Sequence, residues 1–168
     1  MQPPDPNIFR FGYGHGEYLT PKQAALMEAW GTSLKRFPWA WYVHLTFKYD
    51  VSINAAERKF REWLRLMNRR RKRTVGCFAL VHLHTNREVY HIHLLMLGVG
   101  NLQRRTWDRK WFPGWSRIAP YEEHKKGTYY LAKKVATGEA ENYFFGGSLK
   151  DTDTAKRIMR EMDARSNK

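Results

Sequence analysis

Apolar residues recur along this chain at two spacings, and each spacing predicts a different kind of element. In one segment they return every third or fourth position, which is the period of a helix with one apolar face. The members of this stripe are Ala56, Phe60, Trp63, Leu64 and Met67. They predict an amphipathic helix that covers one face of a sheet, with a cap in the segment Asn54-Ala55-Ala56-Glu57.

A second helix is predicted to run to about Lys35. It opens on Thr20-Pro21-Lys22-Gln23, a capping-box pattern with proline at the first helical position. Residues 1–19 are rich in glycine, proline and aromatic residues, so we predict an irregular segment there. Trp39 to Tyr49 is predicted to be a strand, and residues 151–168 a C-terminal helix or tail.

Two apolar runs separated by a short polar segment predict a β-hairpin. The first run is Gly76 to His84, and the second contains Tyr90-His91-Ile92-His93. If Asn86 and Arg87 form the turn, the register follows by counting outward. The opposed pairs are then Thr85 with Glu88, His84 with Val89, His82 with His91, and Leu80 with His93. With a further strand near residues 115–119, the pattern predicts an α+β domain: a central antiparallel sheet of about five strands with helices packed against it.

The pair His91 and His93 is the first candidate for chemistry. Side chains in a strand alternate between faces, so these two imidazoles share a face, roughly 6.5–7 Å apart along the strand. One divalent cation could lie between them. The predicted register puts His82 directly opposite His91, so we rank His82 as the third ligand and His84, which is diagonal to His91, as the fallback.

The second candidate is a tyrosine on a predicted helix, Thr128 to Val135, for which Gly138 is a plausible stop. Helical spacing places Tyr130 on the same face as Lys133 and Lys134. A phenol and an ammonium group on one face can address the same phosphate. Tyr129 shares a face with Lys133 as well, so the spacing leaves both tyrosines open as the reactive group.

Three segments in this order, Leu45-Thr46-Phe47, His91-Ile92-His93 and Tyr130-Leu131-Ala132-Lys133, resemble the three motifs of the HUH endonucleases. The resemblance is greatest to the rolling-circle replication initiators with a single catalytic tyrosine, and it implies an HUH-type nuclease domain over residues 20–150. It further implies that His91 and His93 bind Mg²⁺ or Mn²⁺, and that Tyr130, with Lys133 as its companion, attacks DNA.

The chain departs from that family's pattern at the third metal ligand. The family commonly has a glutamate there, whereas the matching strand offers His82 or His84. Because a site made only of imidazoles is softer than one with a carboxylate, we expect it to favour Mn²⁺ or a later metal over Mg²⁺. The remaining histidines, His15, His44 and His124, we expect to be structural or solvent-facing.

Charge agrees with a nucleic-acid partner. The chain has 30 Lys and Arg against 16 Asp and Glu, a net charge of +14, which attracts polyanions. Basic residues crowd near tryptophans, a combination that suits single-stranded or melted DNA. The expected DNA-binding residues are Arg69, Arg70, Arg71, Lys72, Arg73, Arg104, Arg105 and Lys134.

From other features we expect a cytoplasmic protein, and the resemblance implies a prokaryotic or viral origin. There is no run of about 18 apolar residues and no signal-peptide pattern at the amino terminus. The single cysteine, Cys77, fits a reducing compartment, and we expect it to be a core residue. Because the chain has no P-loop motif, a helicase for the DNA would have to come from the host.

Three alternatives to a replication initiator stay open. A single-tyrosine transposase uses the same chemistry but joins strands as a dimer at paired element ends. A mobilisation relaxase usually has a third in-line histidine, which this chain lacks. The chain could also be a basic nucleic-acid-binding module with structural histidines. The sequence does not decide the oligomeric state.

Overall fold

The computed structural model describes residues 9–10, 18–69, 74–84 and 88–166. These residues form seven strands, five α-helices and one 3-10 turn. In chain order they are β1 (Phe9–Arg10), β2 (Tyr18–Leu19), α1 (Pro21–Leu34), β3 (Trp41–Thr46), α2 (Ile53–Arg69), β4 (Gly76–Leu83), β5 (Tyr90–Leu97), α3 (Arg104–Arg109), β6 (Ser116–Pro120), the 3-10 turn (Glu123–Lys125), α4 (Gly127–Ala136), β7 (Ala140–Gly147) and α5 (Asp153–Ser166).

Five strands form one antiparallel sheet in the order β6-β3-β5-β4-β7. The predicted α+β class, with helices against a central five-stranded sheet, is therefore confirmed. The amino-terminal segment differs from the prediction, because β1 and β2 pair as a two-residue antiparallel ladder where we expected only irregular structure. That ladder lies outside the main sheet.

The hairpin of β4 and β5 has the predicted register. His82 pairs with His91 and Leu80 with His93. The backbone N–H of His84 donates to the carbonyl of Val89 at 3.0 Å, which extends the same register to the end of the ladder. The predicted turn residues Asn86 and Arg87 lie outside the described residues. So does Thr85, which the prediction pairs with Glu88.

The sheet is covered on both faces, which explains why β4 and β5 read as continuous apolar runs rather than alternating ones. One face packs against α2, whose five predicted stripe residues are all buried. The other face packs against α1, α4 and α5 through Phe78, Leu80 and Leu95. Burying each large apolar side chain contributes about 1.5–3 kcal/mol, so this double layer stabilises the strands that carry the histidines.

Helix starts follow local capping chemistry. The capping box of α1 is formed as predicted, with Thr20 and Gln23 each accepting from the other's backbone N–H. The start of α2 differs from the prediction, since Ser52 rather than Asn54 accepts from the Ala55 N–H, at 3.2 Å. Asn54 lies inside the helix, which begins at Ile53.

Candidate metal centre and its tyrosine

Three histidines from two neighbouring strands form the centre of the site. His44 on β3 is the cross-strand partner of His93 on β5, and Thr46 is the partner of His91. The rings of His44 and His93 stack with centroids 4.2 Å apart, and His44 Nε2 lies 2.8 Å from His91 Nδ1. One ring nitrogen from each of His44, His91 and His93 lies within 4.8 Å of the other two.

This spread fits a divalent cation. Imidazole nitrogens lie about 2.0–2.1 Å from a bound metal, so two ligands of one ion are at most about 4.2 Å apart. The observed limit of 4.8 Å needs only small ring rotations to reach that value. Because His91 and His93 are buried, at 8% and 7% exposure, the sheet holds their rings in place.

The third member of the triad is His44, a residue for which the sequence predicts a structural or solvent-facing role. His82 does lie opposite His91, and its ring is 4.9 Å from that of His93, but its nitrogens are outside the triad's 4.8 Å group. The reason is the sheet order. β5 has β4 on one side and β3 on the other. The predicted hairpin identifies only β4 as a neighbour of β5, so it could not place His44 beside His91 and His93.

His82 and the fallback ligand His84 nevertheless border the triad. Among the described residues, the buried Nε2 of His82 has no hydrogen-bond partner, while its Nδ1 lies 3.3 Å from the Leu83 carbonyl. A buried nitrogen without a partner is costly in a folded protein. The ring of His84 lies 4.6 Å from that of His91. The site is thus a cluster of five imidazoles. Three of them each place a ring nitrogen within 4.8 Å of the other two and could bind the same ion.

Burial favours the neutral form of three of these imidazoles, those of His44, His82 and His93, and the neutral form is the one that binds metals. Burial lowers the pKa of His44 to about 4, with help from the charges of His82, His84 and Arg117. Burial also lowers the pKa of His93 well below its usual value, and the neighbouring histidines and Lys134 add to that effect. The pKa of His82 is lowered for the same first reason.

A partly buried phenol lies against one of the three histidines. The Tyr42 hydroxyl lies 3.2 Å from His93 Nδ1, and burial raises the pKa of Tyr42, which keeps it protonated. With Nδ1 protonated, His93 donates to the Tyr42 oxygen and presents the lone pair of Nε2 to a cation. Such outer-shell partners fix the tautomer and the ring orientation of metal-binding histidines.

The structure separates the two candidate tyrosines. The ring of Tyr130 lies 5.4 Å from that of His93, and 37% of the residue is exposed. Tyr129 instead donates to Glu28 Oε1 on α1 at 3.1 Å and packs on Gly31, where an added Cβ would lie 2.4 Å from the ring. Tyr130 is therefore the tyrosine that faces the histidine cluster.

The lysines predicted beside Tyr130 line the same cavity. This cavity, about 790 Å³, is bordered by His44, Tyr130, Lys133 and Lys134. Lys134 also forms an ion pair with Glu139, and its Nζ lies 5.7 Å from the centre of the Tyr130 ring.

Sequence reasoning missed Arg117. On β6 it is the cross-strand partner of His44, it lines the 790 Å³ cavity, and its charge helps lower the pKa of His44. Its exposed guanidinium is well placed for a phosphate. The sequence predicts a strand near Trp115, but only the strand order of the sheet shows that this strand lies beside His44.

The predicted DNA-binding arginines that the structure describes, Arg69, Arg104 and Arg105, do not line the cavity beside the triad. Arg69 is exposed at the end of α2, Arg104 and Arg105 are exposed on α3, and residues 70–73 lie outside the described residues. Trp107 of α3 is buried in the core on the α2 side of the sheet. Of the members of that set for which the structure gives a position, Lys134 alone lines the cavity beside the triad. Arg69, Arg104 and Arg105 remain candidates for contacts further along a bound strand.

Comparison of the chain with models of known protein families, with curated proteins and with solved structures found no match. Within the described part of the chain, no helix has the length and apolar character needed to cross a membrane. The fold and the histidine triad are consistent with the HUH resemblance, and the assignment of function depends on the site.

Proposed function

We propose that the protein is a metal-dependent DNA nickase and strand transferase of the HUH type, with Tyr130 as the nucleophile. The observation that carries the proposal is the position of Tyr130, whose ring lies beside His93 of a three-histidine cluster that can hold a cation. A nucleophile, a metal site and basic side chains at one cavity are what phosphoryl transfer requires.

When bound, a Mn²⁺ or Mg²⁺ ion held by His44, His91 and His93 would polarise the oxygens of the scissile phosphate. The other contributions to the reaction come from side chains of the protein. Arg117 and Lys133 line the cavity where the phosphate would lie, and their charges offset its negative charge. Tyr130 is exposed enough to reach it.

The proposed reaction is a transesterification. The Tyr130 oxygen forms a bond to phosphorus, and the bond between phosphorus and the 3′ oxygen breaks. The phenol gives its proton to a solvent base, and the departing oxygen takes a proton from water to become a 3′-hydroxyl. The 5′-phosphotyrosine retains the energy of the phosphodiester, so a 3′-hydroxyl can later attack it and restore the strand.

The resemblance suggests a biological role for the free 3′-hydroxyl. It would prime rolling-circle synthesis of a plasmid or viral genome, on single-stranded or melted DNA at an origin. A single-tyrosine transposase or a relaxase would use the same residues and would differ in the DNA that it joins.

The test is adduct formation. The protein is incubated with a labelled pool of single-stranded oligonucleotides, with Mn²⁺ or with EDTA, and the products are separated on denaturing gels. We expect a covalent protein-DNA band with Mn²⁺ and none with EDTA. If tight DNA binding occurs with no adduct under either condition, the nickase proposal fails.

That outcome would favour the second candidate, a non-catalytic nucleic-acid-binding module. The net charge of +14 supports this reading independently of the histidines. In that case, substitution of Tyr130 or His44 would leave DNA affinity unchanged.

A further inference from the structure

A second cavity, of about 390 Å³, borders His44 and His91 of the triad, and Tyr130 does not line it. It is lined by His44, Thr46, Lys48, His91 and Trp115, among others, whereas the larger cavity is lined by Tyr42, His44 and Tyr130. Tyr42, His44 and Thr46 alternate along β3 and share one face of the sheet. The two cavities therefore follow each other along β3, and His44 separates them.

Trp115 is the unusual residue of this second cavity. It is 63% exposed, whereas Trp107 and Trp111 of the preceding segment are buried in the core. The Trp115 side chain offers a large exposed planar surface beside two of the three histidines of the triad. Nucleobases stack on such surfaces regardless of their identity.

The backbone of Trp115 is fixed to β3. The Thr46 N–H and the Thr46 hydroxyl both donate to the Trp115 carbonyl, at 2.8 and 3.0 Å, and the Trp115 N–H donates to the Thr46 hydroxyl oxygen at 3.1 Å. Gly114 makes this approach possible, because a Cβ there would lie 2.1 Å from the Thr46 carbonyl oxygen. These bonds hold the backbone that carries the indole, so a ligand that stacks on Trp115 need not order this part of the chain.

We infer that Trp115 stacks on the base of the nucleotide immediately 5′ of the scissile phosphate, the nucleotide that departs with the 3′-hydroxyl. The inference rests on the proposed function. Phosphoryl transfer is roughly in line, so the departing 3′ oxygen points away from the attacking tyrosine. With Tyr130 in the larger cavity, the departing nucleotide enters the smaller one, where Lys48 can meet the next phosphate. The strand that stays attached to Tyr130 occupies the larger cavity.

Binding of short oligonucleotides tests this polarity without cleavage. The probes are (dT)4 with a 3′-phosphate and (dT)4 with a 5′-phosphate, and the protein carries Tyr130→Phe and Mn²⁺. The terminal phosphate sets the register on the metal site. All bases of the first probe then lie on the 5′ side of that phosphate, and all bases of the second lie on the 3′ side.

Trp115→Ala should weaken binding of the 3′-phosphorylated probe by about tenfold and that of the 5′-phosphorylated probe by less than about twofold. Trp115→Phe should retain most of the affinity, because it keeps an aromatic face. Phe112→Ala is the matched control: Phe112 is 79% exposed three residues away, and it does not line either cavity. When the nucleotide next to the phosphate of the 3′-phosphorylated probe is abasic, Trp115→Ala should leave the affinity for that probe unchanged.

Equal loss for both probes, loss only for the 5′-phosphorylated probe, or no loss for either would overturn the inference. Adduct formation by the unsubstituted protein is scored separately. Adducts without the 3′-selective loss would refute the role of Trp115 alone. The 3′-selective loss without adducts would refute the nickase and leave Trp115 as a base-stacking residue.

Discussion

The ring of Tyr130 lies beside the ring of His93, with centroids 5.4 Å apart and planes at 59°, although the two residues belong to different elements. The adjacent Tyr129 points to α1 instead, where its hydroxyl meets Glu28. Successive residues of a helix point about 100° apart, so the two rings contact different groups, although both border the larger cavity.

Substitution of the two tyrosines should therefore have opposite outcomes. Tyr130→Phe should abolish the covalent adduct and change DNA affinity by less than about twofold, since only the hydroxyl is lost. Tyr129→Phe should retain the adduct and lose only the hydrogen bond to Glu28, which costs about 1 kcal/mol of stability. Denaturing gels measure the adduct, and chemical denaturation measures the free energy of unfolding. An adduct with Tyr130→Phe and none with Tyr129→Phe would reverse the assignment.

Arg117 should contribute to phosphate binding at the site. Arg117→Ala should weaken binding of single-stranded DNA and reduce the slope of log affinity against log salt by about 0.7, the value for one phosphate contact on a single strand. It should also slow adduct formation, because a charge next to the reacting phosphate is lost. Arg58→Ala is the control, since Arg58 is exposed on α2 and does not line either cavity. The assignment fails if Arg58→Ala slows adduct formation and Arg117→Ala does not.

Cys77 should be unreactive in the folded protein. It is fully buried on β4, and burial raises the pKa of its thiol to about 12. At pH 8 to 9 the folded thiol stays protonated and shielded, whereas in the unfolded chain it ionises near its usual pKa. A disulfide reagent should therefore label Cys77 only as fast as the protein opens, and at once in denaturant. Thr106→Cys in a Cys77→Ala background, with an exposed thiol on α3, should react immediately without denaturant.

Local patterns were enough to predict much of the fold. The stripe of α2, the capping box of α1 and the register of the β4-β5 hairpin each depend on residues close in sequence, and all three are as predicted. Cys77 is a core residue, as its apolar strand indicated. The cap of α2 was misplaced by two residues, because Ser52 and Asn54 are both good capping residues.

The candidate site was harder to predict, since it depends on which strands are neighbours. His44 lies 47 residues before His91 in the sequence, and its place beside β5 follows from the pairing of β3 with β5. No local pattern states that pairing. Arg117 was missed as a site residue for the same reason, since it reaches His44 only through the pairing of β3 with β6.

Substitution of His44 should therefore weaken metal binding at least as much as substitution of His91 or His93. We expect His44→Ala to weaken Mn²⁺ binding by at least about tenfold, similar to His91→Ala, because each removes one of three ligands. His82→Ala should have a smaller effect, since its nitrogens lie outside the group of three that could bind the same ion. The loss of the free Mn²⁺ signal in electron paramagnetic resonance titrations measures the affinity, and circular dichroism checks that each variant is folded. His124→Ala is the matched control, because His124 is exposed on the 3-10 turn and should leave the affinity unchanged. If His82→Ala abolishes Mn²⁺ binding and His44→Ala leaves the affinity unchanged, the third ligand is His82 on β4 rather than His44 on β3.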